Sequence, residues 1–215
     1  MTPYYERDGI VIYHGDCREI LPTLEPVDLV LTDPPYGIGE ANGKPKQRGC
    51  LSHAPDYLGD IWDSQPIDDC LMRDVRNAGR WAIVFGGNYY EMPPSSCWLV
   101  WDKENGNTDY ADCELAWTNL KKAVRRFKWR WQGMLQERMG AKKEHRVHPT
   151  QKPLALMRWC INQAPDDVQT ILDPFMGSGT TLVAAKLEGR RATGIELEER
   201  YCEIAANRLA QGVLF

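Results

Sequence analysis

The sequence predicts an α/β fold in which a mostly parallel sheet is covered by helices on both faces. Three observations predict it. Short β-branched runs alternate with stretches of helical spacing, and the C-terminal third reads strand, helix, strand, helix without interruption. The 215 residues, 43% hydrophobic and 26% charged, have the balance and the length for one sizeable core. A single domain over 1–215 is therefore expected, with a mobile loop at about 37–60 and a basic insert at about 120–150.

In chain order, Ile10 to Tyr13 is a short β-branched run, and Val27 to Thr32 is a second. Ile67, Leu71, Val75 and Ala78 recur at helical spacing, and Gly79 is expected to close that helix. Trp81 to Phe85 and Trp98 to Trp101 read as strands, and Glu114 to Trp117 adds a fifth. After Pro153, the residues Leu154, Met157, Ile161 and Ala164 mark a helix, followed by a strand over Gln169 to Leu172. Thr180 to Leu187 is a helix ended by Gly189, Ala192 to Ile195 a strand, and Tyr201, Ile204, Ala205 and Leu209 stripe a last helix. Gly37 to Asp60 and Lys121 to Thr150 fit no element, and compact domains rarely keep loops that long without a use for them.

Composition excludes several classes. No apolar run reaches the roughly 18 residues of a membrane helix, and Met1 to Asp16 lacks a signal-like apolar core, so a cytoplasmic protein is expected. Seven scattered cysteines without a Cys-x-x-Cys pair argue against zinc and against a disulfide framework. The net charge of −4 speaks against a polyanionic partner until its distribution is considered. Residues 120–152 hold 11 Lys or Arg against Glu137 and Glu144, a local +9, while the rest carries 15 basic and 28 acidic residues, or −13. Such segregation points to one anion-facing surface.

Two motifs carry chemistry. The segment Asp173-Pro174-Phe175-Met176-Gly177-Ser178-Gly179-Thr180 leaves a strand, turns through two glycines and enters a helix, where free backbone N–H groups and close backbone approach suit a ligand. Glu196 ends the next strand, at the place where a carboxylate accepts hydrogen bonds from both hydroxyls of a ribose. Leu182 stands where a dinucleotide fingerprint has its third glycine, and no Gly-Lys-Ser/Thr follows, so a nucleoside without phosphates fits better. A plain tight turn remains the alternative for the two glycines.

The other motif is Asp33-Pro34-Pro35-Tyr36, at the end of the strand that begins at Val27. Two prolines stiffen the turn and leave a carboxylate, a proline carbonyl and an aromatic ring at a strand terminus. An amino nitrogen on a flat base is a poor nucleophile, because its lone pair is delocalised into the ring. Two acceptors, the Asp33 carboxylate and the Pro34 carbonyl, can hold its two N–H bonds so that the lone pair faces a methyl donor. Tyr36 is placed to stack on the base once it has left the duplex.

Together these motifs resemble the amino-methyltransferases that modify adenine N6 or cytosine N4 in DNA. The tetrapeptide precedes the donor loop, as in the permuted β class, and the match extends to Gly15-Asp16-Cys17, His148-Pro149-Thr150-Gln151-Lys152-Pro153 and Gly194-Ile195-Glu196-Leu197. The resemblance implies a Rossmann-like, doubly wound sheet of seven strands and S-adenosylmethionine as donor, with no metal. It implies that Asp173, Phe175, Gly177, Ser178, Gly179 and Thr180 cradle the methionine part of the donor and Glu196 its ribose. Asp16 and Cys17 then lie near the donor adenine, with Lys152 and Pro153 closing the pocket. Asp16 also reads as a helix N-cap, and both roles can hold at once. His148 is expected to make a structural hydrogen bond rather than act as a base.

Double-stranded DNA is the expected partner, contacted by Lys121, Lys122, Arg125, Arg126, Lys128 and Arg130 and, further on, by Arg138, Lys142, Lys143 and Arg146. Phe127, Trp129 and Trp131 alternate at strand period and are expected mostly in the core. About 110 residues separate Tyr36 from His148, which leaves little for a recognition domain. Short or relaxed target specificity follows, with a homodimer left open, and the size resembles orphan enzymes of phages and prophages as much as partners of a restriction enzyme. Asp33 favours adenine, since the resembling cytosine-N4 enzymes commonly begin this motif with Ser. Cytosine N4 remains the alternative substrate, and a DNA-binding protein without catalysis the alternative class.

Overall fold

Nine strands hydrogen-bond into one sheet in the order β1-β2-β11-β10-β3-β4-β6-β5-β7, and β8 pairs with β9 as a separate ribbon. The strands are β1 (Tyr5–Arg7), β2 (Ile10–His14), β3 (Val27–Thr32), β4 (Gly79–Phe85), β5 (Trp98–Asp102), β6 (Cys113–Thr118), β7 (Arg125–Lys128), β8 (Trp131–Gln132), β9 (Leu135–Gln136), β10 (Thr170–Asp173) and β11 (Arg191–Glu196). The helices are α1 (Cys17–Ile20), α2 (Asp69–Asn77), α3 (Leu154–Ile161), α4 (Thr180–Leu187) and α5 (Glu199–Ala210). This computed structural model describes residues 1–37, 66–106, 111–132, 135–138, 144 and 151–211. Most of the loop expected at 37–60, together with Lys142, Lys143, Arg146 and His148, lies outside the described residues.

The expected class holds, and the expected seven strands become nine. Strands β2, β11, β10, β3 and β4 run parallel, and β6 enters antiparallel between β4 and β5. One additional strand, β1, folds back on β2 through Asp8 and Gly9, both at positive φ. An Asp-Gly pair is a strong hairpin signal, and it was legible in the sequence. The other, β7, adds parallel to β5 at the sheet edge inside the basic stretch, where Phe127, Trp129 and Trp131 alternate with the period of an amphipathic edge strand. Gly79 does not close α2, which ends at Asn77 with Ala78 as its cap; Gly79 already pairs with Val27 in the sheet.

The period of two along the central strands creates two cores. Leu29, Leu31, Ile83, Phe85 and Ile171 face α3, α4 and α5, whose Leu156, Met157, Cys160, Leu182, Cys202 and Ala205 complete one cluster. Val30, Ala82, Val84 and Leu172 face the other way, against Cys17 and Ile20 of α1 and Leu71, Met72 and Val75 of α2. Both faces are thus covered, which explains why these parallel strands read as continuous apolar runs.

Candidate active site

Strands β3 and β10 lie side by side, with β4 on one flank and β11 followed by β2 on the other. Chain connections leave this boundary in opposite directions, so a crevice opens beyond the strand C-termini. A cavity of about 320 Å³ occupies it. Its two walls are tied together by Asp173, which accepts hydrogen bonds from Thr32 Oγ1 of β3 at 2.7 Å, from Thr181 Oγ1 of α4 at 2.6 Å and from the Phe175 N–H at 3.2 Å. Burial raises the Asp173 carboxyl to about 6, although these three donors pull it down.

On the β10 side, Gly177 takes positive φ and its N–H donates to Glu196 Oε2 at 2.9 Å, while the Glu198 N–H donates to Oε1 at 2.9 Å. Glu196 is therefore held by one donor on each oxygen, with lone pairs left to face the cavity that it lines. Burial pushes its carboxyl up to about 7, against the pull of those N–H groups. Phe175, Gly177, Ser178 and Thr180 also line the cavity. Gly179 does not; a Cβ there would stand 2.7 Å from Ala205 Cβ at φ +76°, so its glycine serves the contact of α4 with α5. Asp16 caps α1 by accepting the Arg18 N–H at 2.8 Å, and it lines the cavity as well, as does Cys17. Pro153 stands at the N-cap of α3 away from the lining, and its carbonyl accepts the Leu156 and Met157 N–H groups.

One partner of this loop escaped sequence reasoning. Arg208 of α5 donates from Nη1 to Ser178 O at 2.6 Å, Ser178 Oγ at 3.1 Å and Thr180 Oγ1 at 3.1 Å. It braces the glycine loop from 30 residues away, and no motif marks it.

Asp33 and Pro35 line the opposite wall, and Pro34 and Tyr36 do not. The Tyr36 hydroxyl donates to Asp33 Oδ1, the Tyr90 hydroxyl donates to the Pro35 carbonyl, and the Tyr36 ring stacks on Tyr89 at 4.9 Å. Gly86, at φ +65°, makes room for that ring, since a Cβ there would overlap Tyr36 Cε1. Lys152 Nζ sits 2.5 Å from Asp33 Oδ2 and 3.2 Å from Glu114 Oε2, and Lys103 Nζ lies 2.5 Å from Glu114 Oε1. Burial raises the Asp33 carboxyl, opposed by the Lys152 ammonium and reinforced by Glu114. Lys152 is raised despite its own burial, because Asp33 and Glu114 both favour its charged form. Lys152 lines the cavity, and its closest partner is the tetrapeptide carboxylate. Glu114 and Lys103 were missed, since no motif spans β5, β6 and the tetrapeptide.

Among the described cations of the basic stretch, Arg125, Arg126 and Lys128 are exposed on edge strand β7. Arg126 and Lys128 lie beside Asp102 at 3.8 Å and Glu104 at 3.1 Å, and Lys122 donates to the Gln163 carbonyl at 2.6 Å. Exposed pairs of this kind are weak enough to exchange for phosphate. Phe127 stacks on Trp129 and on Trp159 of α3, and Trp131 is buried, so these aromatics belong to the core. Arg138 lies over the Trp129 ring. Among the described residues, no group of three His, Cys, Asp or Glu side chains could hold a metal ion, and no helix is long and apolar enough to cross a membrane.

Comparison with known proteins places this arrangement in a family. The chain is 26% identical over 255 residues to the type II methyltransferase M.ScaI of Streptomyces caespitosus, covering 96% of this chain and 83% of that protein. It is 28% identical over 262 residues to the type II methyltransferase M2.LlaDCHI of Lactococcus lactis subsp. cremoris, covering 99% and 94%. The crystal structure of the M1.HpyAVI–SAM complex superposes with a TM-score of 0.56 at 25% identity, covering 93% of this chain and 99% of that one. The PvuII DNA methyltransferase, cytosine-N4-specific, shares the fold with a TM-score of 0.62 at 15% identity, covering 99% and 90%. The model of the DNA methylase family N6_N4_Mtase matches residues 97–207, just over half of the chain, and this protein belongs to that family.

Proposed function

We propose that this DNA methylase is a single methyltransferase domain that transfers a methyl group from S-adenosylmethionine to N6 of adenine in double-stranded DNA, with the motif order of the β class. The observation that carries the reading is the position of the Asp33 carboxylate on one wall of a cavity whose other wall is the Gly177–Thr180 loop and Glu196. The cavity suits this donor. Asp16, Asp33, Asp173, Glu196 and Glu198 line it against Arg18 and Lys152, a balance that favours a cationic sulfonium and repels phosphates. Glu196 is assigned to the ribose, the Gly177–Thr180 loop with Phe175 and Asp173 to the methionine part, and Asp16 with Cys17 to the adenine end.

When bound, the donor supplies an electrophilic methyl group: the C–S pair stays on sulfur as the nitrogen lone pair forms the new C–N bond. Asp33 and the Pro34 carbonyl accept the two amino hydrogens and so turn that lone pair towards the donor. As positive charge develops on nitrogen, the Asp33 carboxylate stabilises it, and a proton then leaves the nitrogen through that carboxylate to water. Tyr36 offers its ring to the base and steadies Asp33 through its hydroxyl. The cations on β7 and its flanks supply phosphate contacts.

Adenine is favoured by the Asp that begins the tetrapeptide. Incubation with unmethylated duplex DNA and donor, followed by digestion to nucleosides and mass spectrometry, is expected to yield N6-methyldeoxyadenosine. N4-methyldeoxycytidine as the product would overturn the base assignment, and no methylated nucleoside would overturn the activity.

Donor affinity should depend on pH through Glu196. An ionised carboxylate accepts from both ribose hydroxyls, so binding favours the charged form, releases a proton below about pH 7 and strengthens as pH rises through that value. Calorimetric titration should show about a tenfold gain in affinity from about pH 6 to about pH 8, following the ionised fraction. Glu196→Gln should flatten that dependence and weaken binding. A wild-type affinity that follows the same pH curve as the variant removes Glu196 from the donor site.

A further inference from the structure

The ion-pair chain Lys103–Glu114–Lys152–Asp33 reaches from the ends of β5 and β6 to the tetrapeptide and is not accounted for by any motif. We propose that Glu114 is a positioning residue for methyl transfer: it is the second seat for the Lys152 ammonium, which lets the Asp33 carboxylate turn to the amino group of the target base.

In the site as it stands, both Asp33 oxygens are occupied, Oδ1 by the Tyr36 hydroxyl and Oδ2 by Lys152 at 2.5 Å. An incoming amino group needs a lone pair of the same carboxylate. Lys152 is buried, and an ammonium forced off its only carboxylate in such a place is strongly penalised. Glu114 removes that penalty, because its Oε2 already lies 3.2 Å from the same nitrogen and its Oε1 is anchored by Lys103 at 2.5 Å. The ammonium can lean towards Glu114 without leaving a carboxylate. Glu114 is itself half-buried, and the two ammoniums outweigh its desolvation and hold its carboxyl below its ordinary value, so it stays charged for the purpose. Glu114 also offsets the positive charge of Lys152, which would otherwise oppose a nitrogen turning cationic.

This inference rests on Asp33 receiving the amino group, and its test separates the two. Asp33 feels Lys152, Glu114 and the Tyr36 hydroxyl directly, with Tyr90 on the neighbouring Pro35 carbonyl and Asp173 across the cavity. Glu114 is among the influences that raise the Asp33 carboxyl. Glu114→Gln should therefore move the acid limb of the kcat–pH profile to lower pH, and it should lower kcat about tenfold, the scale of a lost hydrogen bond to a charged group. The donor Kd should stay within about twofold, since Glu114 does not line the cavity. Glu114→Asp should keep the limb where it is. The double variant Glu114→Gln, Lys103→Met removes one charge of each sign, so it keeps the buried balance and should show the same kinetic loss with less cost to folding. An unchanged kcat and acid limb in both Gln variants overturns the role of Glu114. A wild-type protein that methylates no amino group of DNA, or an Asp33→Ala variant with parental turnover, overturns the underlying reading instead.

Discussion

Asp33→Ala is expected to abolish methyl transfer while donor binding stays close to that of the parent. The substitution removes the acceptor that orients the amino hydrogens and the negative charge that stabilises the developing cationic nitrogen. Removing one such preorganised group typically costs on the order of 10²-fold or more in kcat. Most donor contacts are spared, because the Gly177 loop, Glu196 and the Arg208 brace stand on β10, β11, α4 and α5 and share no hydrogen bond with Asp33 among the described residues, and four of the five carboxylates lining the cavity remain. Lys152 keeps Glu114 as a partner in the variant, so the ammonium is not stranded. Asp33→Asn separates the two contributions, since it keeps the shape and one acceptor oxygen and loses the charge. Single-turnover rates with saturating donor and duplex DNA, beside calorimetric donor affinities, check both. Near-parental rates in Asp33→Ala would sink the mechanism.

Gly86→Ala should produce the other large loss, without removing any polar group from the site. A Cβ at Gly86 overlaps Cε1 of Tyr36, and the residue takes φ +65°, so Ala is strained in its backbone as well. The Tyr36 ring must shift, and it carries with it the hydroxyl that donates to Asp33 and the stack on Tyr89. A displacement of about 1 Å in a reacting group can cost roughly 10²-fold, and overpacking of this kind destabilises by about 1–3 kcal/mol. Turnover should fall by that order with donor affinity preserved, because Gly86 lies outside the cavity lining. Tyr36→Phe in the same assay isolates the hydroxyl and should be milder, as a phenyl ring still stacks. Parental kcat in Gly86→Ala would show that the seating of Tyr36 does not govern the reaction.

The same contrast between motif and surroundings runs through the site. Glu196, Gly177 and Asp33 were legible because each lies in a short contiguous segment at a strand end, where neighbours in sequence are neighbours in space. Their partners were not. Arg208 comes to Ser178 from the last helix, and Glu114 comes to Lys152 from β6. Lys152 itself was read as closing the donor pocket, and its pairing with Asp33 spans 119 residues. Ion pairs at such separations leave no periodicity or spacing to read.

What the sequence by itself determined is the alternation of strands and helices, the mostly parallel sheet, the two strand-end motifs and the segregation of charge. These are local properties, set by periodicity, turn chemistry and composition over a few consecutive residues. Tertiary structure alone decided where β1 and β7 join the sheet, that Gly179 serves packing and not the cavity, and that Phe127 stacks on both Trp129 and Trp159. It also decided that the tetrapeptide carboxylate is shared with a tyrosine hydroxyl and a buried ammonium. The physical reason is that strand order in a doubly wound sheet brings together chain ends distant in sequence. Burial then sets the charge states of Asp33, Lys152 and Glu114 jointly, which no one of their segments encodes alone.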